Sequence, residues 1–149
     1  TLTAADLMVP VERLHPLALS TPLVEVIAHL TADGVGAGWV AQEGHAQRIQ
    51  GLITDGDLRR ALQQYGPEEW KGLKARDLMT SDPITIPEGI LAVQAIERME
   101  RNRRKPISVL PVIDDEERML GLLRLHDLVQ VGLTSAASGL EAASGLADA

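Results

Sequence analysis

The chain contains no cysteine and no phenylalanine, and aromatic residues make up only 2% of its 149 residues. The missing cysteines exclude disulfides and thiolate metal sites and fit a reducing cytoplasm. The scarcity of aromatics leaves Leu, Ile, Val, Ala and Met to build the core of a chain that is 45% hydrophobic. No apolar run approaches the ~18 residues that a membrane span requires. No secretory signal pattern opens the sequence, and Thr1 at its start suggests a piece of something longer. Basic residues are outnumbered, 14 against 21 acidic, for a net charge of -7. That balance argues against a general nucleic-acid binder, which needs cationic excess to displace phosphate counterions. The length suits one compact domain or two small halves sharing a core.

What is present is a repeat. Asp6-Leu7-Met8 recurs as Asp77-Leu78-Met79, and Gly51-Leu52-Ile53-Thr54-Asp55-Gly56-Asp57-Leu58 recurs as Gly121-Leu122-Leu123-Arg124-Leu125-His126-Asp127-Leu128. Both lie about seventy residues apart, a period that points to two copies of one supersecondary unit. Between these motifs run matching amphipathic patterns, Leu23, Val26, Ile27 and Leu30 in one copy and Ala92, Ala95, Ile96 and Met99 in the other. The first helix is expected to open after Ser20-Thr21-Pro22 and stop near Gly34; the second is expected to open near Pro87-Glu88-Gly89 and end before Pro106. Two short apolar runs follow each helix, Ala37 to Ala41 and Arg48 to Ile53, then Ile107 to Ile113 and Met119 to Leu123. Extended stretches at Leu17 to Leu19 and Ile84 to Ile86 precede the helices. Each unit therefore reads β-α-β-β-α, an α+β class. The expected organisation is repeat 1 over 1–62, a linker over 63–76 and repeat 2 over 77–133, with a low-complexity, disordered tail over 134–149.

The turn from strand Gly51–Thr54 through Asp55-Gly56-Asp57 into a helix beginning at Leu58 is the most chemically suggestive stretch. The first amides of a helix lack intrahelical partners and attract anions. Thr54 Oγ can donate to a phosphate, and the Asp57 carboxylate can accept both hydroxyls of a ribose. The alternative is that Asp57 merely caps its helix, worth about 1 kcal/mol. Spacing alone favours the cap, and the repeat context favours ligand contact. Arg59 or Arg60, together with the basic run Arg101, Arg103, Arg104 and Lys105, either neutralise an anionic ligand or form a solvated face.

The repeated unit, the segment Ile107-Ser108-Val109-Leu110-Pro111-Val112-Ile113-Asp114 and the two Gly-led strands ending in Asp resemble tandem cystathionine-β-synthase-type (CBS) domains over nearly all of 1–133. The stretch Gly51 to Leu62, with His126-Asp127-Leu128 and Gly132 near the end, is similar to the C-terminal half of bacterial arabinose-5-phosphate isomerases. In those enzymes a CBS pair follows a sugar-isomerase (SIS) domain. The resemblance implies two repeats packed about a pseudo-twofold axis, with Thr54 and Asp57 of one facing the opening strands of the other. The implied stronger site comprises Leu52, Thr54, Gly56, Asp57, Thr80, Ile84, Lys105, Ile107 and Ser108, with the isoleucines sandwiching a base. The implied weaker site comprises His15, Val35, Gly36, Arg124 and Asp127, where Arg124 replaces the threonine and either pairs with a phosphate or acidic sugar, projects into water or forms a salt bridge with a neighbour.

The resemblance further implies a regulatory module that binds CMP-Kdo, the activated end product of the isomerase's pathway, or an adenine nucleotide such as AMP or ATP. It implies an upstream SIS domain, a homodimer formed through the CBS pair and a cytoplasmic setting. No catalytic residue, cofactor, metal, nucleic-acid or membrane partner is expected of the chain itself, and any isomerase active site lies before Thr1. The competing reading is a ligand-free dimerisation scaffold of a larger enzyme or transporter. Gly34-Val35-Gly36-Ala37-Gly38 is not a dinucleotide fingerprint, because Trp39 stands where the last glycine belongs. The four histidines show no metal-ligand spacing.

Overall fold

The computed structural model describes residues 1–101 and 106–133. Lys105 and the tail expected over 134–149 lie outside the described residues.

The first repeat opens with a one-turn helix α1 (Ala4–Leu7), a two-residue strand β1 (Val9–Pro10) and a 3-10 turn at Val11–Arg13. Helix α2 (Leu23–Asp33) buries Leu23, Val26 and Leu30 and stops at Gly34, which adopts the left-handed conformation glycine tolerates (φ 68°). Ile27, the fourth member of the expected stripe, stays 38% exposed. Strands β2 (Ala37–Gln42) and β3 (His45–Thr54) form an antiparallel hairpin leading into α3 (Asp55–Gln64). The expected linker is not extended. It folds into α4 (Pro67–Trp70), and Trp70 Nε1 donates to the Tyr65 carbonyl at 2.9 Å. The second repeat runs α5 (Ala75–Leu78), β4 (Thr80–Ser81), β5 (Ile86–Pro87), α6 (Ala92–Arg101), β6 (Val109–Ile113), β7 (Met119–Arg124) and α7 (Leu125–Gln130).

The two repeats exchange their opening segments. Strand β1 pairs with β7, giving the sheet order β1-β7-β6-β5, and β4 pairs with β3 beside β2. The missing counterpart of β5 is a single parallel bridge from Leu17 to Val40. The leading helices cross over in the same way. Ala4 N donates to Ile90 O (2.8 Å), and Ala75 N donates to Thr21 O at the same length. Ala4 thus sits in the core of Ile86, Ile96, Met99, Leu110 and Leu123, while Ala75 and Leu78 sit in that of Leu17, Leu30, Val40 and Ile53. A third cluster, Val9, Leu14, Val35, Ala37, Trp39, Leu52, Val109, Met119 and Leu122, joins the halves.

This exchange explains why both last strands begin with glycine. A Cβ on Gly51 would collide with the Met79 side chain, and one on Gly121 would collide with the Val9 carbonyl oxygen and Met8 Sδ. Each glycine makes room for the Asp-Leu-Met segment of the other repeat, so the two repeated motifs are halves of one contact. The obstacles differ, because Met79 can swing aside and the Val9 backbone cannot. Gly51→Ala is therefore expected to cost less than about 1.5 kcal/mol, measurable by urea unfolding.

The β6–β7 turn is organised by Asp114, which accepts from Arg118 N (2.8 Å), Glu116 N (2.9 Å) and Arg118 Nε (2.7 Å). The Arg118 backbone hydrogen bond, aided by its guanidinium and the Glu116 amide, holds the Asp114 carboxyl below its ordinary value. A depressed carboxylate contributes stability that is complete above its unfolded pKa, roughly 3.9, and that disappears as pH falls through the lower folded value. Asp114→Asn should accordingly flatten part of the acid limb of a stability-against-pH curve below about pH 4.

Candidate functional site: the cleft between the halves

Thr54 ends β3 and is the N-cap of α3, so the helix begins at Asp55, three residues earlier than expected. Asp57 is not the cap but the third helical residue, and the two side chains form a capping box. Asp57 N donates to Thr54 Oγ (3.2 Å). Asp57 Oδ2 accepts from Thr54 N (2.9 Å) and from Thr54 Oγ (3.0 Å). The other carboxylate oxygen, Oδ1, accepts from Arg60 Nη2 at 2.5 Å. The Thr54 hydroxyl hydrogen is thus committed to Asp57 rather than free for a phosphate, and the carboxylate is only 9% exposed. Arg60, by contrast, is 53% exposed and free to turn.

A cleft of about 470 Å³ opens beside this box. Leu52, Thr54, Gly56 and Asp57 line it from the first repeat, and Thr80, Ile84, Ile107 and Ser108 line it from the second. Thr80 is placed by its direct pairing with Leu52 across β3 and β4. Ile84 precedes β5 and leaves half its surface bare, an apolar face available for stacking. Ser108 O receives the Leu125 amide at 2.8 Å, which fixes the segment entering β6. Of the stronger-site residues, only Lys105 falls outside the described residues.

The same cleft is lined by residues that sequence reasoning passed over: Asp55, Asp82, Pro83, Pro106 and Val109. The Asp82-Pro83 dipeptide was the available signal, since Asp82 takes a left-handed conformation (φ 53°) that turns the chain where it lines the cleft. Arg60 lines it too, which settles which arginine of the pair Arg59-Arg60 faces it.

Gly36, expected at the weaker site, lines this cleft. Its positive φ (80°) turns the chain toward α3, where Gly36 O accepts from Asp55 N at 3.0 Å. Of the remaining weaker-site residues, Val35, Arg124 and Asp127 come together. The Arg124 guanidinium bonds Asp127 through Nη2 (2.6 Å) and Nε (3.0 Å), and reaches the Val35 carbonyl through Nη1 (3.1 Å). Of its expected roles, the structure shows the salt bridge to a neighbour. His15 bonds Asp33 (Nδ1 to Oδ1, 2.5 Å), with its ring 4.9 Å from that of His29.

A larger groove of about 830 Å³ lies between the start of α6 and the β6–β7 turn. Its lining is dominated by charged residues of both signs, with Ile90 and Pro87 as its main apolar surface. The smaller cleft offers Leu52, Ile84, Ile107 and Val109 beside hydrogen-bonding groups, the combination small-molecule sites use.

Crossed opening strands, a twofold sheet pattern and a cleft at the strand-to-helix turn define a known class. Residues 75–133 match the family model for the CBS domain. Over 88% of its length the chain superposes on the crystal structure of CBSX2, a CBS-pair protein of Arabidopsis thaliana, in complex with AMP. That match has a TM-score of 0.69 and 23% identity and covers 96% of the other chain. It also superposes, over 86% of its length, on 84% of the CBS domain of a bacterial CNNM/CorC family Mg2+ transporter in complex with ATP, with TM-score 0.71 and 19% identity. Residues 75–133 thus carry the CBS-domain signature, and the chain as a whole has the fold of a CBS pair. More particularly, it is similar to arabinose 5-phosphate isomerase KdsD of Pseudomonas aeruginosa, 34% identical over 137 residues, 89% of this chain and 38% of that protein. The chain spans little more than a third of the length of such relatives.

Proposed function

We propose that this CBS pair is the regulatory part of an arabinose-5-phosphate isomerase and binds a nucleotide or nucleotide sugar in the cleft between its halves. The carrying observation is the convergence of Thr54, Asp57 and Arg60 of one repeat with Thr80, Ile84, Ile107 and Ser108 of the other around one cavity. Ile84 and Ile107, with Leu52 beneath, give a base apolar walls. The Asp57 carboxylate takes the ribose hydroxyls, and Arg60, released from Asp57, turns to the phosphate through its planar fork. Three consecutive basic residues, Arg103, Arg104 and Lys105, immediately precede Pro106 in the sequence. CMP-Kdo fits this set through its ribose, phosphate and sugar carboxylate. AMP and ATP, present in the complexes named above, are the alternative ligands.

Regulation requires the ligand to bind one arrangement of the pair better than another. A cleft whose two walls come from different repeats meets that requirement, because closing it moves the halves against each other. The SIS catalytic domain lies elsewhere in the whole protein, and the protein works in the cytoplasm. Exposed Val24 and Ile27 on α2 and Val93 on α6 suit pairing with a second copy.

Thermal unfolding in the presence of CMP-Kdo, CMP, AMP and ATP tests this reading. At ~100 times its Kd a ligand adds about 2.7 kcal/mol, which raises the Tm of a domain this size by roughly 5–10 °C. The absence of a shift with all four would leave the ligand-free scaffold as the function. Arg60→Ala should weaken a phosphorylated ligand by about 10-fold or more, the worth of a charged hydrogen bond. The same variant should leave binding of the unphosphorylated nucleoside nearly unchanged.

A further inference from the structure

The two aspartates at the strand-to-helix turns, Asp57 and Asp127, are each held by a guanidinium, but in different ways. Arg60 approaches Asp57 from the next turn of α3 with one nitrogen, and more than half of its surface remains in solvent. Arg124 approaches Asp127 from the end of β7 with two nitrogens, one to each carboxylate oxygen, and is 22% exposed. Its third nitrogen crosses to the opposite repeat and donates to the carbonyl of buried Val35. A guanidinium offering two parallel N–H groups to a carboxylate matches the two O–H groups of a ribose diol. Arg124 also stands at the position that Thr54 holds in the first repeat.

We infer that Arg124 is an internal stand-in for the ribose of a nucleotide. It occupies Asp127 and seals the second cleft against Val35, so that the chain binds one nucleotide rather than two. This rests on the nucleotide reading of the first cleft. The consequence is an asymmetric module. One aspartate is held by an arginine that can leave, and the other by an arginine whose departure would strand both the carboxylate and the Val35 carbonyl. The latent site takes the same ligand class, a phosphorylated ribonucleoside, because its aspartate, its strand-to-helix amides and Leu122 repeat the first cleft's Asp57, Asp55-Gly56 and Leu52. Replacing Arg124 by threonine restores the Thr-x-x-Asp pattern and opens it.

Isothermal titration calorimetry of the whole 149-residue chain, with AMP and with CMP in separate titrations, tests the assignment. The wild-type chain is expected to bind one equivalent of the nucleotide it accepts, Arg124→Thr two, Asp57→Ala none, and the double variant Asp57→Ala/Arg124→Thr one. A double variant that folds cooperatively and binds neither nucleotide overturns the Arg124 assignment, whatever the wild type does. A wild-type chain that binds neither nucleotide, beside a double variant that binds one equivalent, sinks the reading of the first cleft and leaves the Arg124 assignment standing. If threonine prevents folding, Arg124→Ser carries the same readout, since serine lacks the β-branch and keeps the hydroxyl. A stoichiometry unchanged in Arg124→Ser then overturns it.

Discussion

Asp57→Ala is expected to abolish the ligand-induced rise in Tm and to weaken nucleotide binding by roughly 150-fold or more. The carboxylate accepts two hydroxyls, and hydrogen bonds to a charged group contribute about 1.5–3 kcal/mol each. The same change removes the capping box from α3, so the ligand-free protein should lose about 1 kcal/mol. These two losses separate cleanly in Asp57→Asn. Its amide oxygen can still accept from the Thr54 backbone N–H, while its amide nitrogen cannot accept a ribose hydroxyl and repels Arg60. The Asn variant should therefore unfold close to wild type and yet bind poorly. Equal binding by wild type, Ala and Asn variants would remove Asp57 from the ligand site and reduce it to a cap.

Gly121→Ala is the substitution expected to damage the fold most. Its methyl group would fall against the Val9 carbonyl oxygen and Met8 Sδ, where β1 of the first repeat pairs with β7 of the second. Relief requires the backbone of β1 to move, and overpacking of this kind costs about 1–3 kcal/mol. A domain of this size should lose several degrees of Tm. Gly121→Val should lose more. Because the contact joins the two repeats, the damage should also reach the inter-repeat cluster around Trp39, which is 2% exposed. Trp39 fluorescence, read in a Trp70→Phe background, should shift toward that of solvent at a lower urea concentration than in the parent. If Gly121→Ala proved no more costly than Gly51→Ala, the Val9 backbone would not be the rigid obstacle that sets the two halves of the contact apart.

The repeat, the α+β class and most of the cleft were legible before any coordinates, for identifiable reasons. Helices α2 and α6 announce themselves through apolar spacing, and the Gly-led strands through two eight-residue stretches that share a Gly-Leu opening and an Asp-Leu close. The exchange of β1 and β4 between sheets was not legible from the pattern, because two-residue strands carry no periodicity. Its trace was present in the pairing of a Met-ended motif with a glycine-led one, which becomes meaningful only when Gly51 is seen against Met79 and Gly121 against Met8. The start of α3 was placed three residues late because Asp57 and Thr54 are both good N-cap residues and spacing does not rank them. The place of Gly36 in the first cleft was not legible, because aligning the repeats equates it with Ser108 and cannot show where its positive φ carries the chain. Arg124 was readable as different, with a salt bridge to a neighbour among its roles, but its partners were not. Its direction is set by the Val35 carbonyl, 89 residues away in the chain.

The location of the ligand is tested most directly by titrating the isotopically labelled chain with AMP, and separately with CMP, while following backbone amide resonances. The account predicts saturable shifts concentrated at residues 54–57, at Thr80 and Ile84, and at Ile107 and Ser108, with Arg124 and Asp127 little changed. Shifts centred instead on the groove of Glu88, Arg98 and Arg101, or no saturable shift with either nucleotide, would contradict it.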